Sequence, residues 1–103
     1  MTSTPAVRDD RTQGRFLLEQ DGATAQLVYD SEPGRLVLVH TEVPDALGGR
    51  GIGGRLVSAA VARADAEGLT IVPRCEFAQR WLRKHPDATT GVDIDWAERP
   101  PQT

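Results

Sequence analysis

The 103 residues fit one domain, and a chain this short buries only about 60–65% of the surface that its unfolded form exposes, enough for one modest core. Hydrophobic residues at 39% and charged residues at 26% disfavour wholesale disorder, and a net charge of -3 offers no global attraction for nucleic acid or an anionic membrane, so any anion site must be local. One cysteine excludes an internal disulfide, no apolar run approaches the roughly 20 residues of a membrane span, and the opening MTSTPAVRDD lacks the apolar centre of a secretion signal, so a reducing cytoplasm is the expected compartment.

Residues 1–13 are polar without an apolar period and read as a flexible tail. Arg15–Gln20 reads as a strand, Asp21-Gly22 as a hairpin turn and residues 23–29 as its partner. Pro33-Gly34 supplies a second turn before residues 35–43, a β-branched run too apolar at its start for an edge strand and expected at the centre of a meander. Within residues 51–67, Leu56, Val57, Ala60, Val61 and Ala64 recur at helical spacings, and Gly68 stands where a helix-ending glycine belongs. Residues 69–73 form a short strand, reached by a connection long enough for a parallel crossover. Glu76–Lys84 is a second helix, with Phe77 and Trp81 on one face as core packing and His85 and Pro86 at its end. Residues 88–103 form a polar tail rich in acid and proline, in which Val92, Ile94 and Trp96 alternate and can dock as a short strand. The expected fold is α+β: a domain over 14–87 with a mixed, mostly antiparallel sheet of about four strands in the order β-β-β-α-β-α.

The chemical signal is strongest in residues 47–56, LGGRGIGGRL, between a strand and the start of a helix. The first N–H groups of a helix lack internal partners and lie at the positive end of its dipole, and glycines let phosphate oxygens approach them. Arg50 and Arg55 add charge that pairs with phosphate. A P-loop needs Lys followed by Ser or Thr, whereas Gly53 is followed by Gly54 and Arg55. Gly49, Gly51 and Gly54 match a dinucleotide fingerprint, but Pro44 and its neighbours separate them from the strand, and Val72-Pro73-Arg74 ends the next strand without an acid.

The segment resembles the coenzyme A pyrophosphate loop of the GCN5-related N-acetyltransferases, Gln/Arg-x-x-Gly-x-Gly/Ala at a strand-to-helix junction. Gly51 and Gly53 meet that pattern, and Gly48 stands where it has Gln or Arg. The succession His40-Thr41-Glu42-Val43-Pro44, the glycine loop, Ile71-Val72-Pro73-Arg74-Cys75-Glu76-Phe77 and Trp81-Leu82-Arg83-Lys84-His85-Pro86 is similar to a very small acetyltransferase-like family that has little beyond the cofactor-binding half of the superfamily. The resemblance covers residues 14–87. It implies that acetyl-coenzyme A is the cosubstrate, with no metal, held by Thr41, Val43, Gly48, Gly49, Arg50, Gly51, Ile52, Gly53, Gly54 and Arg55. The pantetheine arm would lie along the strand ending at Val43, where it splays from the strand ending at Pro73, and an amine acceptor would meet the thioester there.

Acetyl transfer to an amine needs a neutral nucleophile, a held oxyanion and a proton for the leaving thiolate. Cys75, after the second central strand and at a helix start where the dipole favours an anion, can accept acetyl covalently or protonate that thiolate, or can be an inert buried cysteine. The resemblance adds that this position has been considered catalytic. His40 and Glu42 share one face of their strand, opposite Thr41 and Val43, and either can serve as base. Tyr29, the one tyrosine, lies on an early strand. The expected function is an acetyl-coenzyme A-dependent N-acetyltransferase; a coenzyme A-binding module with weak chemistry and a protein-interaction domain are the alternatives. Acceptor and oligomeric state are not encoded in any motif.

Overall fold

The structure, a computed structural model, describes residues 6–96. Its elements are β1 (Arg8–Asp10), β2 (Arg15–Gln20), β3 (Ala23–Glu32), β4 (Arg35–Glu42), α1 (Ile52–Glu67), β5 (Thr70–Pro73) and α2 (Glu76–Lys84), with single 3-10 turns at Asp45–Leu47 and Pro86–Thr89. The strands form one sheet in sequence order, antiparallel from β1 to β4 and parallel between β4 and β5. The α+β class and the place of β4 inside the sheet are as expected, while the sheet has five strands rather than about four.

The extra strand lies within the segment expected as an N-terminal tail. Arg8–Asp10 pairs antiparallel with Arg15–Leu17. It shows no apolar alternation because polar groups hold it: Asp9 Oδ1 accepts from the Tyr29 hydroxyl at 2.5 Å, Asp9 Oδ2 accepts from Arg63 Nη1 at 3.2 Å, and Arg11 donates to Glu67 at 2.5 Å. Residues 1–5 of the expected tail lie outside the described residues. At the other end, Ile94 bridges in parallel to Ile71, whose N–H donates to Asp93 and whose carbonyl accepts from Asp95. The alternation of Val92, Ile94 and Trp96 thus extends the sheet edge past residue 87, and 97–103 lie outside the described residues.

Asp21 and Gly22 both take positive φ, 52° and 78°, the twist that a two-residue hairpin between right-handed strands requires. The hairpin gives β2 and β3 a fixed register in which Phe16 faces Leu27 and Leu18 faces Ala25, all four buried. α1 lays Ile52, Leu56, Val57, Ala60, Val61 and Ala64 onto this face, and Leu36, Leu38 and Leu47 complete the core. Each fully buried leucine contributes about 2–3 kcal/mol of transfer free energy.

Candidate functional site

The parallel ladder between β4 and β5 ends at the pair Leu38 and Pro73. There the carbonyl of Leu38 accepts from the N–H groups of both Arg74 and Cys75, at 2.9 and 3.0 Å, as the chain turns from β5 into α2. β4 runs on to Glu42 against β3, so β4 and β5 part at this point. A register shift in the same place opposes Val28 to His40 but Tyr29 to Leu38, leaving Val39 as an extra residue in β4. A bulge bends its strand and resets the alternation of faces. Leu38 faces the helices with Tyr29, and beyond the bulge Thr41 does so opposite the buried Leu27, while His40 and Glu42 fall on the outer face.

The consequence is a contact between side chains 34 positions apart: Thr41 Oγ1 lies 3.2 Å from Cys75 Sγ, across the mouth of the parting strands. Cys75 is the N-cap of α2, 8% exposed and unpaired in any disulfide; its own carbonyl accepts the first helical bond, from Gln79.

Beside this pair, the loop after β4 opens a groove of about 310 Å³ lined by Val43, Pro44, Leu47, the glycine loop and Phe77. Gly51, at φ 71°, is the N-cap of α1, and no side chain among the described residues caps the helix. The first helical bond that the loop makes is Arg55 N–H to the Gly51 carbonyl at 3.1 Å, which leaves the N–H groups of the first turn without a partner inside the helix. The backbone of this loop therefore fits a pyrophosphate. Gly53 and Gly54 have a further reason to lack a side chain. A Cβ on Gly53 would stand 2.7 Å from Phe77 Cζ, and one on Gly54 would overlap Trp81 Nε1, so α2 packs against the bare backbone of α1. Arg50 donates to Asp21 of the β2–β3 turn at 2.7 Å, an exposed ion pair worth about 0–1 kcal/mol that a phosphate can displace. Arg55 sits in the first turn of α1, half-buried.

Of the expected catalytic residues, Cys75 faces the splay. His40 and Glu42 do not join it: both are exposed on the outer face, 3.7 Å apart, and Glu42 accepts a hydrogen bond from Gln26 at 2.8 Å. Tyr29 is also elsewhere. Its hydroxyl is held by Asp9 and by Arg63 at 2.9 Å, and Arg63 lies about 16 Å of helix rise beyond Ile52. Burial first, and the hydrogen bond to Asp9 second, raise the Tyr29 pKa above 10.0, with Arg63 opposing. Phe77 and Trp81 pack against the core as expected, and Trp81 stacks on His85, whose Nδ1 lies 2.8 Å from the Trp81 carbonyl oxygen. No sequence signal pointed to the Thr41 contact, because only the tertiary fold brings β4 against the start of α2.

Residues 15–91 match the family model described as GCN5-related N-acetyl-transferase. The chain belongs to that family. Protein NATD1 of Homo sapiens and of Gallus gallus are each 36% identical over 83 residues, which cover 78% of this chain and 74% and 76% of theirs. A solution structure of a GCN5-like protein from Staphylococcus aureus superposes with a TM-score of 0.68 at 25% identity, covering 97% of this chain and all of the other. In this chain the parting of β4 from β5, near a glycine-rich helix start, is where Thr41 meets Cys75.

Proposed function

We propose that this member of the family is an N-acetyltransferase that takes acetyl-coenzyme A at the groove between β4 and α1 and passes the acetyl group to an amine at the splay. The carrying observation is the Thr41–Cys75 contact at the end of the β4–β5 ladder, with Val43 and Phe77, two residues on from each, lining the groove at the uncapped start of α1. The N–H groups of Ile52, Gly53 and Gly54 would hold the pyrophosphate, with Gly48 and Gly49 leaving the loop open and Arg50 and Arg55 supplying charge. The backbone from Val39 through Thr41 to Val43, unpaired with β5, is the place for the pantetheine arm. The bound cosubstrate supplies a thioester-activated acetyl group.

Cys75 is the proton donor to the leaving sulfur in this reading. Tyr29 is committed to Asp9 and Arg63, and His40 and Glu42 look away from the thiol, so they take no part. The free thiol also suits a reducing cytoplasm, which we propose as the compartment.

Isothermal titration with acetyl-coenzyme A tests the binding half: a saturable heat is expected, and none at millimolar ligand would refute the reading. Release of free thiol over a panel of amines tests the chemistry, with Cys75→Ala expected to lose about a hundredfold or more in kcat while still binding the cosubstrate. Binding without turnover on any amine would favour a coenzyme A-binding module.

A further inference from the structure

We infer that Thr41 is the positioning residue for the Cys75 thiol during acetyl transfer, an inference that rests on the reading of Cys75 as proton donor. The two side-chain atoms lie 3.2 Å apart, and backbone bonds pin both residues: Thr41 stands opposite Leu27 in the β3–β4 ladder, and the Cys75 N–H donates to Leu38 at 3.0 Å. The two backbones are thus held at a fixed separation, and only side-chain rotation can part the two atoms. The bulge at Val39 is what turns Thr41 toward Cys75 rather than toward the outer face.

A threonine hydroxyl has one donor hydrogen and two acceptor lone pairs. It accepts from the Sγ–H of Cys75 while the residue is a thiol and donates to Sγ once the proton has gone, with no backbone movement. An aliphatic side chain of the same shape does neither. In the transfer step the amine nitrogen forms its bond to the acetyl carbonyl carbon, the bond from that carbon to the coenzyme A sulfur breaks, and the Cys75 proton passes to the departing sulfur. The surplus proton on the new amide nitrogen then returns to Cys75 Sγ, directly or through water, so the thiol is restored and nothing is oxidised or reduced. The proton moves between two alkyl thiols, a nearly balanced exchange. Between the two transfers the negative charge sits on Sγ, where the Thr41 hydroxyl and the start of α2 meet it.

Thr41→Val keeps the shape and strand preference of the side chain, and Thr41→Ser keeps the hydroxyl; both keep the backbone that the cosubstrate would use. The full chain and both variants are assayed for acetyl-coenzyme A affinity, for steady-state thiol release with an amine that the wild type turns over, and for the rate of Cys75 alkylation by iodoacetamide. Thr41→Val is expected to lower kcat and the alkylation rate about tenfold while the KM for acetyl-coenzyme A stays within about twofold, and Thr41→Ser to recover most of both. Wild-type kcat and alkylation in Thr41→Val, or a Thr41→Ser as impaired as Thr41→Val, would overturn the inference. The underlying reading fails separately: a wild-type chain that binds no acetyl-coenzyme A or transfers to no amine, or a Cys75→Ala variant that transfers at the wild-type rate, removes both. An impaired Cys75→Ala beside an unimpaired Thr41→Val removes this inference alone.

Discussion

Tyr29 is committed to structure rather than to the splay. Its ring packs 5.0 Å from Phe16 and its hydroxyl is shared between Asp9 and Arg63, so the phenol ties β1 and β3 to α1. Tyr29→Phe is expected to cost about 1 kcal/mol near neutral pH by urea unfolding. Its pH dependence has a definite sign. The folded pKa is raised above the unfolded value of 10.0, so the contribution of Tyr29 is whole below that value and is lost as the pH rises through the folded one. As the pH rises above about 10 the urea midpoint of the wild type should therefore fall more steeply than that of Tyr29→Phe. At this scale the sequence was partly legible. The place of Cys75 at a strand-to-helix junction followed from local pattern, whereas the partners of Tyr29 and Thr41 lie on elements far along the chain. Period-two counting put His40 with Glu42, but which of the two faces meets Cys75 depends on the alignment of β4 with β5 and α2.

Among the elements, α1 and α2 form the joint that sets the glycine loop against the thiol. α2 carries Cys75 as its N-cap and lays Phe77 and Trp81 over Gly53 and Gly54 of α1. The glycines therefore answer to a helix contact as well as to the ligand role proposed for them. Replacing Gly54 by alanine should gain about 0.8–1.0 kcal/mol of helix propensity and lose about 1–3 kcal/mol to overpacking against Trp81, a net destabilisation measurable as a lower Tm. A Gly54→Ala variant as stable as the wild type would show that Trp81 moves aside without cost. Hairpin turns, helix spacing and the helix-ending Gly68 made β2 to β5 and both helices readable, because those signals are local. β1 was not readable. Arg8–Asp10 has no apolar face, and its pairing depends on Arg63 and Tyr29 from other elements.

For the molecule as a whole, the polar clamp at the β1 edge and the proposed ligand site lie at opposite ends of α1, one bonding Arg63 and Glu67 and the other opening at Gly51. The side chain of Arg63 is 10% exposed and bonds both Asp9 and Glu67. Arg63→Ala should cost about 2 kcal/mol, read by urea unfolding, while leaving acetyl-coenzyme A affinity unchanged, because the charge it abandons on Asp9 is at the far end of the helix. Acetyl-coenzyme A itself, at a hundredfold over its Kd, should add about 2.7 kcal/mol and raise Tm by roughly 10 °C or more in a domain of this size. Thermal unfolding over a ligand series checks this, and a flat Tm would contradict the proposed site.

By itself the sequence determined the class of the fold, the order of its central elements and the glycine-rich start of α1, since each depends on contacts and conformations within a few residues. Tertiary structure alone decided the fifth strand, the face of β4 that meets the thiol, the distance of Tyr29 from the splay and the pairing of Thr41 with Cys75. The physical reason is the same for all four. A sheet brings together groups that are remote in the chain, and one extra residue at Val39 exchanges its faces, so the chemistry of the site depends on a register that local pattern does not contain.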